Sequence, residues 1–207
     1  MKIQQIRNAT LKISYADKIF LIDPYLEGKN KFGCFADIPN KPFLTADNVK
    51  NQIPAPICEL PFSDVKILSE TVQIDKIKLT KTPALHGKIE PMCNACGVIF
   101  QAENEKTLYI ADDTIWFDGV KNTLKKFSPE IVVLNACAAE FLKFGRLIMN
   151  DEDIDCVHQT LPDAKIFLTH LDNVPHAAIT RQTMRGLMAK RGIENYFMPA
   201  DGEVVKF

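Results

Sequence analysis

Hydrophobic and polar residues alternate with a period of two in TLKISY (10–15), between two other short strand-like runs, residues 2–7 and 18–23. Together they read as three strands, with IFLI in the third a buried stretch. Residues 24–63 break the pattern. Six prolines fall there (Pro24, Pro39, Pro42, Pro54, Pro56 and Pro61), and the spacing predicts irregular structure. A loop of that length is usually functional. Strands are predicted again near 65–68, 71–81, 96–101 and 106–111, with the polar ENEK at 103–106 as the turn of a hairpin.

In the second half the period changes. Phe117, Val120, Leu124 and Phe127 lie on one stripe at helical spacing. IVVLNA and KIFLTH read as buried strands. DEDIDCVHQTL reads as a helix that opens on acidic residues, favourable at a helix N-terminus, and stacks Ile154, Val157 and Leu161. AAITRQTMRGLMAKRG reads as a helix stopped by Gly192. Strands alternating with helices point to the α/β class. No repeat or linker divides the chain, so residues 1–207 are expected to form one domain.

Composition narrows the possible partners. The chain is 46% hydrophobic, enough for a sizeable core, and its net charge of −1 argues against nucleic acid and anionic membrane surfaces. No apolar run is long enough to span a bilayer, and MKIQQIRNAT lacks the pattern of a signal peptide, so the cytoplasm is the expected compartment. The six cysteines, Cys34, Cys58, Cys93, Cys96, Cys137 and Cys156, then read as reduced thiols. Cys93 and Cys96 make one CNAC, the spacing of half a zinc site or of a redox pair, with no partner pair.

The chemistry lies at strand ends. TPALHG (82–87), YIADDTIWFDGV (109–120) and FLTHLDNVPH (167–176) each place a His or Asp just after a hydrophobic run. Imidazoles and a carboxylate together suit zinc, manganese or iron. Histidine is scarce: His86, His158, His170 and His176 are the four, and no two have the spacing of a His-x-His-x-Asp-His cluster. His158, on a helix flank, is expected to be exposed.

These segments, preceded by ATLKISYADKIFLIDP (9–24) and followed by IVVLNA, THLDNVPHAAITR and PADGE, resemble in order and spacing the metallo-β-lactamase fold superfamily, more narrowly its L-ascorbate-6-phosphate lactonase branch of bacterial metal-dependent hydrolases. The resemblance runs from residue 1 to residue 207. It implies a four-layer αββα sandwich, two mixed sheets face to face with helices outside. It also implies hydrolysis of a small anionic or cyclic substrate, a lactone or phosphate ester, by a metal-activated water. One block departs from it. Family members carry a few dozen more residues after a segment like PAPICELP (54–61), including the His-x-His-x-Asp-His motif; here ELPFS runs directly into DVKILSE. Part of one sheet near residues 61–66 is therefore expected to be missing, which would leave strand edges bare or recruit a neighbouring subunit.

By the same resemblance His86, Asp113 and His170 correspond to metal ligands, Asp113 bridging two ions of zinc or manganese. Asp113 and His176 are the candidate catalytic groups. Asp23 corresponds to an acid that orients ligands. Asp112 stands where the family has Gly, as either a solvated strand-end acid or a substitute ligand. Asn135, Thr114 and Arg181 are weaker candidates, and Trp116 and Phe117 are expected in the core. The matched set leaves two protein ligands per metal, fewer than the three usual in catalytic zinc sites. A hydrolase with an impaired centre is the expected function; a non-catalytic scaffold or assembly protein is the alternative. A small-molecule substrate and a homo-oligomer are the partners implied.

Overall fold

A computed structural model describes residues 1–24, 43–46, 65–87, 95–141, 145–172 and 177–207. The three opening strands form as the sequence predicts: β1 (Lys2–Arg7), β2 (Thr10–Tyr15) and β3 (Lys18–Ile22). Next come β4 (Phe43–Ala46), β5 (Val65–Leu68), β6 (Thr71–Ile74), β7 (Ile77–Pro83), β8 (Cys96–Gln101) and β9 (Leu108–Ile110). The second half contains α1 (Asp118–Phe127), β10 (Ile131–Asn135), β11 (Glu140–Phe141), β12 (Gly145–Arg146), α2 (Asp151–Thr160), β13 (Lys165–Thr169), α3 (Arg181–Arg191), β14 (Tyr196–Phe197) and β15 (Val204–Lys206).

Several details differ from the sequence expectation. A strand, β4, lies inside the proline-rich stretch read as irregular, and pairs in parallel with β5. The run 71–81 is two strands, because Asp75 at φ 50° turns the chain between them. The last helix starts only at Arg181, where the Thr180 side chain accepts the Thr183 N–H at 3.2 Å and caps it. The short strands β11, β12, β14 and β15 carry too few residues for a period to show.

Two main sheets form, in the orders β15-β1-β2-β3 and β14-β13-β10-β9-β8-β7-β6. The first is antiparallel throughout, not mixed as expected. The second is mixed: β9, β10, β13 and β14 run parallel, and β6 to β9 are joined antiparallel. Ile3, Leu11, Ile13 and Tyr15 of the first sheet bury themselves against Ile77, Leu79, Phe100, Ile131, Val133 and Phe167 of the second. The opposite face of the second sheet, including Val132, Leu134, Ile166 and Leu168, packs on Val120 and Leu124 of α1, Ile154 and Val157 of α2, and Met184 and Met188 of α3. This is why β10 reads as an unbroken apolar run: it is covered on both faces.

Sheet faces sheet, and helices cover the outside of the larger one. Among the described residues all three helices lie on that side. On the outer face of the smaller sheet Ile19 is 68% exposed and Val204 49%. Of the junction expected to lack part of a sheet, residues 61–64 lie outside the described residues, and the described edge of the smaller sheet is β3. No helix of the described residues is long and apolar enough to cross a membrane.

Candidate metal centre

Topology brings the candidate residues together. β7, β9, β10 and β13 run in one direction, so their carboxyl ends share one edge of the large sheet. His86 follows β7, Asp112 and Asp113 follow β9, Asn135 ends β10, and His170 follows β13. Asp23 follows β3 of the opposing sheet and belongs to the same cluster. Open α/β sheets place ligand sites at such strand ends. The backbone there is held in uncommon conformations: Asp23, Asp112, Ala138, His170 and Asp172 all have φ between 46° and 71°.

Asp113 is the centre of the cluster. Its Oδ2 lies 3.4 Å from His86 Nδ1, and its Oδ1 lies 3.9 Å from His170 Nε2. The Asn135 amide donates to Oδ1 at 2.7 Å. The three side chains His86, Asp113 and His170 are 12%, 24% and 13% exposed, so each keeps a small window to solvent.

Asp112 is not a simple solvated acid. Its side chain is hydrogen-bonded to that of Asp23. Burial, then the charges of Asp23 and Asp113, hold Asp112 well above the ordinary carboxylate range. The turn at Asp23 is exposed, but its carboxyl faces inward to this pair. Crowding away from water, then repulsion from Asp113, pushes it up to about 6 against the pull of the hydrogen bond from Asp112. The left-handed conformation of Asp112 also explains why a glycine suits this position.

Neighbouring groups brace these residues. The Leu85 N–H donates to the Thr114 hydroxyl oxygen at 2.8 Å, and Ile115 N–H to the Leu85 carbonyl at 3.0 Å, tying the His86 and Asp113 segments together. Thr114 is fully buried, so its part is to hold the turn. Trp116 and Phe117 pack on the helix-side core, as expected, and the Trp116 N–H donates to Asp153, itself paired with Arg146. Gly87, at φ 64°, lies so close to Leu147 that a Cβ would come within 2.4 Å of its side chain. Arg181 stands behind the His170 turn, pairing with Asp172 and Asp201 at 2.7 Å each and donating to the Pro199 carbonyl at 3.0 Å. Burial pushes the Cys137 thiol beside the cluster up to about 11, so it is an unreactive neutral thiol.

Two expectations fall elsewhere. His158 is half-buried on α2, not exposed, with its Nδ1 enclosed away from water. His176 and Cys93 lie outside the described residues. Sequence reasoning missed Asn8, whose carbonyl accepts the His170 N–H, and Gln5, which donates to that carbonyl and accepts the Thr169 hydroxyl. Asn8 at a turn between two strands was the only hint of them in the sequence.

Against a pair of metal ions, these residues are a poor fit. Two ligands at about 2.0–2.2 Å from one ion, at a tetrahedral angle, stand about 3.4 Å apart. His86 and Asp113 meet that edge; His170 and Asp113 are wider. Among the described residues no group of three His, Cys, Asp or Glu side chains is arranged to hold a metal ion.

No family model matches the chain. It is 31% identical to the UPF0173 protein YddR of Bacillus subtilis (strain 168), over 100% of both proteins. That alignment extends over 254 positions against 207 residues here, so the relative faces gaps in this chain. Among solved structures, isothiocyanate hydrolase from Delia radicum gut bacteria is 30% identical, with a TM-score of 0.86 over 100% of this chain and 99% of that one. A possible metal-dependent hydrolase from Veillonella parvula DSM 2008 is 27% identical, with a TM-score of 0.87 over the same shares. The metallo-β-lactamase fold protein YhfI from Bacillus subtilis, at 12% identity and a TM-score of 0.68 over 99% of each chain, shares the fold. Sequence, strand order and the meeting of strand-end residues agree: this chain belongs to the UPF0173 family, with the metallo-β-lactamase fold of metal-dependent hydrolases.

Proposed function

We propose that this chain is a metal-dependent hydrolase whose centre is impaired, built for a small anionic or cyclic substrate such as a lactone or phosphate ester. The observation that carries the reading is the meeting of His86, Asp113 and His170 at one sheet edge in a sequence with no His-x-His-x-Asp-His motif. In such hydrolases zinc or manganese supplies an activated water. Here the chain's own residues hold Asp113 through Asn135 and keep His86 and His170 partly open to solvent. Losing ligands costs affinity steeply; loss of supporting contacts alone costs roughly 10–100-fold. A relative that is an isothiocyanate hydrolase supports a small organic substrate. A cytoplasmic setting and a homo-oligomer complete the proposal.

The second reading is a non-catalytic scaffold or assembly protein. The absence of the His-x-His-x-Asp-His block favours it.

Metal analysis of the purified protein, with intact mass and lactonase and phosphoesterase assays after adding manganese or zinc, tests both. Substoichiometric metal with weak activity is the expected result. Two tightly held ions per chain, at a mass matching these 207 residues, would overturn the impairment. Complete inactivity with every substrate and ion would favour the scaffold.

A further inference from the structure

β3 is an edge strand with the composition of an interior one. Its neighbours β1 and β2 turn Lys2, Gln4, Lys12 and Ser14 to the outer face of the smaller sheet. β3 turns Ile19 and Leu21 to that face, opposite Ser14 and Lys12. Its other residues look inward, Phe20 standing edge-on to Phe100 at 5.1 Å. A strand apolar on both faces is the pattern of a covered strand. Yet Ile19 is 68% exposed, and no described strand pairs with the side of β3 away from β2. We propose that a second copy of this chain takes that side, the two β3 strands pairing antiparallel about a twofold axis at Phe20. The proposal rests on the homo-oligomer part of the reading above and names its surface.

The backbone groups point the right way. Ala16 and Asp17, left-handed at φ 44° and 65°, close a two-residue hairpin between β2 and β3. The flanking pair Tyr15–Lys18 is then hydrogen-bonded, and so are Ile13–Phe20 and Leu11–Ile22, because such pairs alternate along an antiparallel ladder. Ile19 and Leu21 therefore turn their N–H and C=O groups away from β2, towards the open side. Pairing about Phe20 sets Ile19 of each copy opposite Leu21 of the other, where both hydrogen bonds are exchanged. The four side chains then meet on the outer face as one apolar cluster. A second copy suits this edge because reversing the strand about Phe20 matches apolar to apolar. The one charge within the strand is Lys18, at its end and already paired with Asp75. β3 also lacks the usual means of blunting an edge: it has no proline, and its register with β2 is unbroken by a bulge. A single strand pair makes a small interface, so association should be weak and concentration-dependent.

Analytical ultracentrifugation of the full chain from about 1 to about 100 µM, with amide hydrogen exchange at both ends of that range, tests this. The expected mass rises from that of one chain towards that of two, while the Ile19 and Leu21 amides gain protection. Ile19→Lys, which puts a charge on an edge position, should weaken association at least about tenfold. Val204→Lys, on the same face at the opposite edge strand, should weaken it by no more than about twofold. If the Ile19 variant does not fold, the exchange of the two amides in the unaltered protein decides. A dimer that Ile19→Lys leaves intact, or in which both amides stay unprotected, would overturn the β3 seam and leave the homo-oligomer standing. Protection already complete in the monomer would also overturn it, since the chain would then cover its own edge. A single chain with unprotected amides at every concentration would overturn the homo-oligomer and the seam together.

Discussion

The backbone N–H of His170 donates to the carbonyl of Asn8 at 3.0 Å, joining a candidate site residue on the large sheet to the first turn of the small one. The same carbonyl also receives the Gln5 amide at 2.8 Å and lies 2.9 Å from the Thr169 hydroxyl. Thr10, at the other side of that turn, donates to the carbonyl of Asp23 at 2.7 Å. One turn thus holds site residues from both sheets in relation to each other. Asn8 has φ 45°, a conformation asparagine tolerates better than most residues.

Thr169→Val should expose the strength of that junction. Valine keeps the shape but leaves the fully buried Gln5 without the donor 2.7 Å from its Oε1. A buried acceptor deprived of its donor costs about 1–3 kcal/mol. Urea unfolding should show a loss in that range, with the midpoint moving and the slope unchanged. A neutral result would mean that the Thr169 hydroxyl adds nothing to the His170–Asn8 backbone hydrogen bond and the packing around it.

Tyr15→Phe should alter stability at alkaline pH. The Tyr15 hydroxyl is buried between the sheets and reaches the carbonyls of Phe100 and Lys106 at 3.1 and 3.0 Å. Burial, then the charge of Glu105, pushes it up to about 12 from an ordinary 10. Between those values the unfolded chain has released the proton and the folded one has kept it. Raising the pH from 10 towards 12 therefore drains stability, and below pH 10 the contribution is complete. The phenylalanine variant should lose about 1 kcal/mol at neutral pH for the missing hydrogen bond. Its stability should then fall less steeply above pH 10 than that of the parent. Parallel curves would rule out Tyr15 as the source of the alkaline loss.

Asp112→Gly should stabilise the metal-free protein. The substitution relieves a left-handed residue at φ 62° and removes one of three crowded carboxyls. The backbone part alone is worth about 1 kcal/mol. Thermal unfolding in the presence of a chelator should show a higher midpoint for the variant. A lower midpoint would mean that the Asp23–Asp112 hydrogen bond contributes more than the crowding costs.

Gly87→Ala should do the opposite. A Cβ there meets Leu147 at 2.4 Å and forces φ 64° on a residue that resists it. A loss of more than about 1 kcal/mol is expected. Because Gly87 directly follows His86, the His86 ring signals should shift in NMR spectra while those of His158, on α2, stay in place. An unshifted His86 would show that the turn absorbs the change beyond the site.

Much of the layering was written into the sequence as periodicity. Residues 2–7 depart from it, because the buried positions there are Ile3, Gln5 and Arg7 and not the apolar Ile6. The period of two in residues 10–15 and the helical stripe through Val120 and Leu124 are local patterns, and each appears in the structure where it was expected. So do His86, Asp113 and His170 as strand-end residues, since a strand's limits depend mostly on its own residues. What sequence alone could not reach was relation across distance. Only the shared direction of β7, β9, β10 and β13 turns four separate strand ends into one edge, because the edge is defined by pairing between segments far apart in the chain. Asn135 was only a weaker candidate in the sequence; the register of β10 against β13 places it beside Thr169, next to His170, and in reach of Asp113. Asp112 read as a solvated strand-end acid or a substitute ligand; the opposing sheet brings Asp23 to it. The residue types and their local periods were the sequence's own; the angles and distances at which they meet were decided by two sheets burying one apolar layer between them.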